Sequence, residues 1–390
     1  MRLHPAYAQV TALLLAVVVL IAGNGLLSTL VPLSAVNAGF PDLAIGLIGS
    51  TYFIGMFVGC IAAPRLVARA GHIRAFAALS SVATVTALAY PVLPQSVAWA
   101  LIRAVTGFCF AGLYATIESW LHDKAENAVR GQVLALYQMV HYVGSAAGQQ
   151  AIRLAPPGAF ALFLLAASAF ALSVLPLAFT RTDPPTPPPV PRLRLVWLYR
   201  LSPVAVIGVL AAGAANGTLW SLAPVYAATS GLDPAGVATF MTAIIIAAAL
   251  VQWPIGRLAD LTDRRYVMLA AMTAAVAAEA ALVLFAGHGP VVLFLLAAAV
   301  GASTLVLYPL ASGHAADLAG RGNMVEISTG LLLTYTIGAI IGPTLAAVAM
   351  ARTAPAALFV HNGAIHVALV LFVIWRLWWR PPQGTAARRV

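Results

Sequence analysis

Charge is what this sequence most lacks. Asp, Glu, Lys and Arg make up 8% of its 390 residues, and only 11 residues are acidic. A soluble domain carries about 25% charged residues, so the chain cannot cover a water-facing surface of its size. Cysteine is almost absent too. Cys60 and Cys109 both sit inside apolar runs, where they read as small packing residues and not as a disulfide. The sequence has no Gly-x-x-x-x-Gly-Lys-Ser/Thr phosphate loop, no His-Glu-x-x-His, no Cys-x-x-Cys and no Gly-x-Ser-x-Gly. The missing phosphate loop argues against ATP as an energy source. No nucleophile–base pair or metal cluster can be assembled, so no enzyme activity, cofactor or metal site is expected. Met139 with His141, Met268 with Met272, and His361 read as core filling before metal ligands.

What is present is apolar. Hydrophobic residues make up 62% of the chain, and the mean hydropathy is +0.95. The Ala/Leu/Val runs are continuous and not alternating, which predicts membrane-spanning helices of about 20 residues. Twelve runs lie near residues 9–36, 43–67, 74–94, 97–120, 131–152, 158–180, 201–228, 235–259, 266–287, 290–313, 324–349 and 355–379. The first is too long for a signal-peptide core and is taken as a true first helix. With twelve spans both termini share one side. All 21 Lys/Arg residues fall on that side except Arg103, Arg153 and Arg352. The positive-inside rule then places both termini in the cytoplasm and the chain in a prokaryotic inner membrane. The same rule, with anionic lipid headgroups, accounts for the net charge of +10 without any nucleic-acid partner.

The runs repeat. Asn24-Gly25, Leu27, Leu30, Pro32 and Gly39 recur as Asn216-Gly217, Leu219, Leu222, Pro224 and Gly231, each 192 residues later, and Arg65-Leu66 recurs as Arg257-Leu258. Between the copies, residues 181–194 carry six prolines and predict an extended tether. The expected fold is all-α: two pseudo-symmetric bundles of six helices, over 1–180 and 200–390, joined by a linker at 181–199. Two repeated bundles of apolar helices point to a transporter.

The hairpins narrow this. Between the eighth and ninth runs stands Gly256-Arg257-Leu258-Ala259-Asp260-Leu261-Thr262-Asp263-Arg264-Arg265. It resembles the Gly-x-Leu-x-Asp-Arg-x-Gly-Arg-Arg signature of the major facilitator superfamily. The counterpart after the second run keeps Arg65, Leu66, Arg69 and Gly71 but has Ala68 where the Asp belongs. Arg103-Ala-Val-Thr-Gly107 matches the family's Arg-x-x-x-Gly motif in the fourth helix, and Arg130-Gly131 and Arg321-Gly322 open the fifth and eleventh. The stretch Gly112-Leu-Tyr-Ala-Thr-Ile-Glu118-Ser-Trp-Leu resembles the YcaD-like branch. The resemblance spans the whole chain and implies two bundles rocking about a central cavity, lined by helices one, four, seven and ten. Asn24, Arg103, Asn216, Trp220 and Tyr308 lie on those helices. It also implies that Asp260 latches the cytoplasmic side against the N-terminus of helix five near Arg130, where a helix dipole favours an anion.

Ionisable residues at membrane depth supply the remaining candidates. Arg103, about six residues inside helix four, should face a cavity or a partner, or else snorkel to the outer headgroups. Glu118 is expected to pair with Arg69, Arg74 or Arg130. Glu279 should turn away from lipid, and with Arg103 and His141 it is a candidate for proton coupling. Gln149, Gln150, Tyr137, Tyr142 and Tyr335 offer hydrogen bonds and rings for a small amphiphilic solute, while Arg103 would favour an anion. The expected partners are that solute, protons and lipid, with the chain working as a monomer. A drug/proton antiporter and a non-transporting membrane sensor stay open. Helix five has Gly144 and Gly148 without the Pro of the antiporter signature, which here stands in helix eleven as Gly342-Pro343.

Overall fold

The computed structural model describes residues 5–124, 130–179, 194–319 and 323–379, which are helical with short turns and contain no strand. The first bundle comprises α1 (Pro5–Asn37), α2 (Asp42–Ala70), α3 (His72–Ala89), α4 (Ser96–Lys124), α5 (Arg130–Gln150) and α6 (Phe160–Leu172), the last extended by one turn at Leu175–Ala178. The second comprises α7 (Pro203–Thr229), α8 (Pro234–Leu261), α9 (Arg264–Phe285), α10 (Pro290–Thr304, resuming at Leu307–Ala319), α11 (Met324–Arg352) and α12 (Ala357–Trp379). Eleven of these helices are long and apolar enough to cross a membrane. The twelfth, α5, is also long enough, at 21 residues. It carries Gln138, His141, Tyr142, Gln149 and Gln150, which lower its hydropathy, while Met139 and Val143 on another face are exposed.

Two elements depart from the expected runs. Thr304 and Leu307 bracket a break in the tenth span. Pro309 offers no N–H to the Leu305 carbonyl and its ring crowds that carbonyl, which favours the break at this point. A short helix, Leu195–Leu201, lies where only tether was expected. Its Leu198 is buried, and Arg194 lies 3.9 Å from Glu326 of α11.

The repeat has a packing cause. Gly25 lies against the Ser145 backbone where α1 crosses α5, and Gly217 lies against Ala339 where α7 crosses α11. A side chain at either would separate the helices. Each Asn before these glycines turns toward the bundle interface. Gly39 and Gly231 hold φ of 73° and 88° in the turns that follow, a conformation that glycine adopts without steric cost. The outer faces present Leu15, Val85, Val97, Leu101, Leu250 and Leu284, all exposed and apolar, as a lipid-facing surface requires.

Candidate functional site

The bundles meet along α2 against α11 and α5 against α8. One end of the molecule carries the start of α1, the end of α12 and the basic hairpins; this is the basic end. At the opposite end the bundles are clasped together. Gly46 abuts Ala347 and Pro343, and Gly49 abuts Ser221 of α7. The hydroxyls of Ser50 and Thr344 share a hydrogen bond of 2.8 Å. Gln150 Nε2 donates to Thr242 Oγ1 at 2.7 Å, and Arg153 Nη2 donates to Thr239 Oγ1 at 2.6 Å. Nearer the middle, the Tyr142 hydroxyl donates to Gln252 Oε1. All of these ties lie at the far end or midway along the helices. Toward the basic end the bundles stand apart.

That asymmetry leaves a cavity of about 580 Å³ between the bundles. It runs from Asn216 and Trp220, midway along α7, to Pro64, Glu118 and Ser328 at the basic end. Tyr114, His141, Tyr142, Tyr308 and Tyr335 supply its rings. Tyr308 and Tyr335 meet edge to face at 5.3 Å, and the His141 ring lies 6.0 Å from Tyr114. Of the residues singled out in the sequence, Asn216, Trp220, Tyr308, His141 and Glu118 line this space. Asn24 adjoins it, its Nδ2 3.5 Å from the Tyr114 hydroxyl.

Gln149 does not line the cavity. It is fully buried and spends its amide on α1, accepting from Thr29 and donating to Ser28 Oγ at 3.2 Å. Its neighbour Gln150 faces α8 instead, because adjacent helical residues point about 100° apart.

Arg103 also lies outside the main cavity. It is 8% exposed, which removes the snorkelling alternative. Its guanidinium sits 4.5 Å over the Tyr52 ring. The Arg-x-x-x-Gly spacing explains the placement. Gly107, one turn on, lets α4 rest on the Tyr52 backbone, and the same face of α4 then carries Arg103 onto the Tyr52 ring. A desolvated cation–π contact contributes about 2 kcal/mol. A double-mutant cycle of Arg103→Leu and Tyr52→Leu is expected to show coupling of about that size in unfolding stability. Strict additivity would leave the stack without energetic weight.

Glu279 turns away from lipid, as burial demands, but not toward the cavity. It is fully buried in α9, with Oε2 3.0 Å from His366 Nδ1 of α12. Asn362, one turn before His366, donates to the Ala215 carbonyl of α7 at 3.2 Å. The pair therefore stands behind the helix that presents Asn216 to the cavity. His366 went unremarked in the sequence, since a lone His on an apolar helix has no local signal.

The hairpin motif is held within its own bundle. Arg264 bridges Asp260 Oδ1 at 2.6 Å and Asp317 Oδ2 at 2.9 Å. Arg265 pairs with Asp263 at 2.8 Å. Burial works against ionisation of Asp263, but hydrogen bonds from the Arg265 side chain and N–H outweigh it and hold its carboxyl below the ordinary range. Arg257 lies 5.5 Å over Trp253, and beside it the Gly256 backbone has open space, so no close approach demands glycine there. Asp260 is 67% exposed at its side chain and does not reach the other bundle, because the bundles are apart at this end. The Arg130 side chain falls outside the described residues. Across the mouth, Arg65 and Arg69 are exposed, and Arg65 caps the Ile61 carbonyl of its own helix. Of the three partners expected for Glu118, Arg69 and Arg74 make no ion pair with it, and the Arg130 side chain lies outside the described residues. Glu118 faces the open cavity instead of the hairpin.

Comparison with known proteins agrees with this architecture. A family model described as Major Facilitator Superfamily matches residues 13–239 and 205–389. The chain is 29% identical over 371 residues to an uncharacterised MFS-type transporter, Ent638_1421, of Enterobacter sp. (strain 638), covering 94% of this chain and 95% of that one. It is 28% identical over 367 residues to the uncharacterised MFS-type transporter YcaD of Salmonella newport (strain SL254), with the same coverage. Among solved structures, the nucleoside transporter NupG superposes with a TM-score of 0.79 at 14% identity, covering 95% of this chain and 99% of that one. A bacterial homologue of the human lysosomal transporter Spinster, in an inward-facing and occupied conformation, gives 0.75 at 14% identity, covering 96% of each chain.

Proposed function

This chain belongs to the major facilitator superfamily, and from that membership we propose that it carries a small solute across the inner membrane by alternating access. The observation that carries the reading is the asymmetry of the bundle interface: clasped at one end, and open at the other into a cavity of about 580 Å³. Rocking the two bundles about that cavity would close the basic end and release the Ser50–Thr344 and Arg153–Thr239 contacts at the far end. The positive-inside rule assigns the basic end to the cytoplasm, which makes this conformation inward-facing. Asn216, Trp220, Tyr308 and His141 are the residues a solute would meet.

Protons are the proposed coupling ion. The support is Glu279 and His366, two titratable groups fully buried together and tied through Asn362 to the backbone of α7. A proton gained or lost there changes the charge behind a cavity helix. Glu279 Oε1 and His366 Nε2 have no further partner, so the pair is poised for a change in protonation and not locked by a full hydrogen-bond set.

Asp260 takes the latch role in the other state. Once the cytoplasmic ends approach, it would leave Arg264 for the N-terminus of α5, a contact worth about 0.3–1 kcal/mol. Asp260→Asn is therefore expected to lower the outward-open population about two- to five-fold. Spin labels on the α2–α3 and α8–α9 turns would read it as a shift toward long distances. The transport reading itself rests on the same labels with a second pair at the periplasmic ends. The two distances should change reciprocally. A single fixed distribution at both ends, with no solute flux in proteoliposomes, would rule alternating access out.

A further inference from the structure

The cavity wall is mixed aromatic, aliphatic and polar, with a single acidic side chain. Of its described lining residues, Glu118 is acidic and none is Lys or Arg. Three of the described basic residues nearby are engaged elsewhere. Arg103 is sealed beneath the far-end clasp and stacked on Tyr52. At the mouth, Arg264 is held by Asp260 and Asp317, and Arg257 stacks on Trp253.

Glu118 is exposed to the cavity and has no ion-pair partner among the described residues. A carboxylate inside a span is costly and normally faces a water-filled path or a counter-charge. The same cavity is lined by Tyr114, Tyr142, Tyr308 and Tyr335, with Trp220 at its inner end. Aromatic faces carry negative potential and attract cations, most strongly where water is excluded. A third observation concerns hydrogen bonding. Asn216 is 4% exposed and its Oδ1 has no partner. A buried acceptor left open is costly and complements an N–H or O–H donor on a solute.

We propose that the transported solute is a small organic cation, held by Glu118 and caged by the tyrosines and Trp220. The assignment rests on the transport reading and names its substrate class. It replaces the anion expected from Arg103, because Arg103 does not reach the cavity. A carboxylate supplies long-range attraction, while the rings accept a delocalised or quaternary cation without demanding a fixed set of hydrogen bonds. A volume of about 580 Å³ lies within the range of small-ligand pockets.

The test uses two ions of the same shape and opposite sign. Tetraphenylphosphonium and tetraphenylborate are titrated calorimetrically into the purified full-length protein in lipid nanodiscs, with triphenylphosphine oxide as the neutral probe and empty nanodiscs as the blank. The cation is expected to bind at least about 100-fold more tightly than the anion. Glu118→Gln should weaken the cation about ten-fold or more, on the scale of a lost charge partner, and leave the neutral probe unchanged. Glu118→Asp should retain most of the binding, and Trp220→Leu should weaken the cation independently of Glu118. Equal binding of both ions, binding confined to the neutral probe or the anion, no binding of the cation, or an unaltered cation affinity in Glu118→Gln would overturn the assignment. The spin-label distances separate the two readings. If the mouths interconvert but the cation does not bind, the substrate class fails and alternating access stands. If the mouths never interconvert, alternating access fails whatever the cation does.

Discussion

Gly49→Leu is expected to abolish transport while the protein stays folded. Gly49 faces Ser221 across the closed far-end interface, and even a Cβ there would overlap the Ser221 side chain. Overpacking a tight contact costs about 1–3 kcal/mol. Under the proposed rocking the cost falls on one conformation only, since the two residues would separate when the far ends part. A penalty at the upper end of that range shifts a two-state equilibrium more than about 100-fold. The variant should sit outward-open, with longer spin-label distances at the periplasmic ends and solute flux near background. A paired substitution guards against a trivial explanation. Gly49→Ala should impair transport less severely, and Gly49→Ala with Ser221→Gly should restore it. With the Ser221 side chain gone, the next neighbour of the new Cβ is Pro343 Cβ at 3.5 Å, an ordinary contact. Wild-type flux in Gly49→Leu would show that this surface need not close.

His366→Leu is expected to be the most destabilising single change outside the helix crossings. It strands Glu279, a fully buried carboxyl, without the 3.0 Å partner it now has. Removing one member of a buried pair costs about 3–5 kcal/mol. Replacing both, as Glu279→Leu with His366→Leu, should recover most of that loss, because neither desolvated polar group remains. Glu279→Gln separates coupling from structure. It keeps a group that can hydrogen-bond His366 Nδ1 but removes the carboxyl's titration. We expect near-normal stability and flux that no longer follows a pH gradient. His361, beside Asn362 with its Nδ1 3.3 Å from that residue's Oδ1, is the neighbouring titratable group and serves as the control through His361→Gln. Full pH dependence in Glu279→Gln would leave the pair as a structural tie between α9 and α12.

How much of this was legible beforehand depends on the range of the interaction. The helices were readable because each apolar run satisfies its own backbone and needs no partner to be recognised. The polar character of α5 was visible too, although its meaning was not. Gln149 and Gln150 look equivalent in sequence, yet one is buried against α1 and the other clasps α8. Arg153 stood out only as an exception to the charge bias, and it proves to be a main tie across the end opposite the basic hairpins. Glu118 was expected among the arginines of the hairpin because both lie near the same end of the membrane. Rotation about α4 turns it into the cavity instead. A hydropathy profile reports depth and carries no azimuth.

The sequence by itself determined the helical spans, the two-fold repeat, the gathering of its arginines at one end and the motifs of the family. All of these are local or periodic signals. Only the tertiary structure decided that the end opposite the basic hairpins is the closed one, that Arg103 is sealed away while Glu118 is open, and that Glu279 finds His366 on α12, 87 residues along the chain. Each of those depends on which face of one helix meets which face of another. That choice is made by close contacts such as Gly49 on Ser221 and Gly107 on Tyr52, where the absence of a side chain matters only once the partner backbone has arrived.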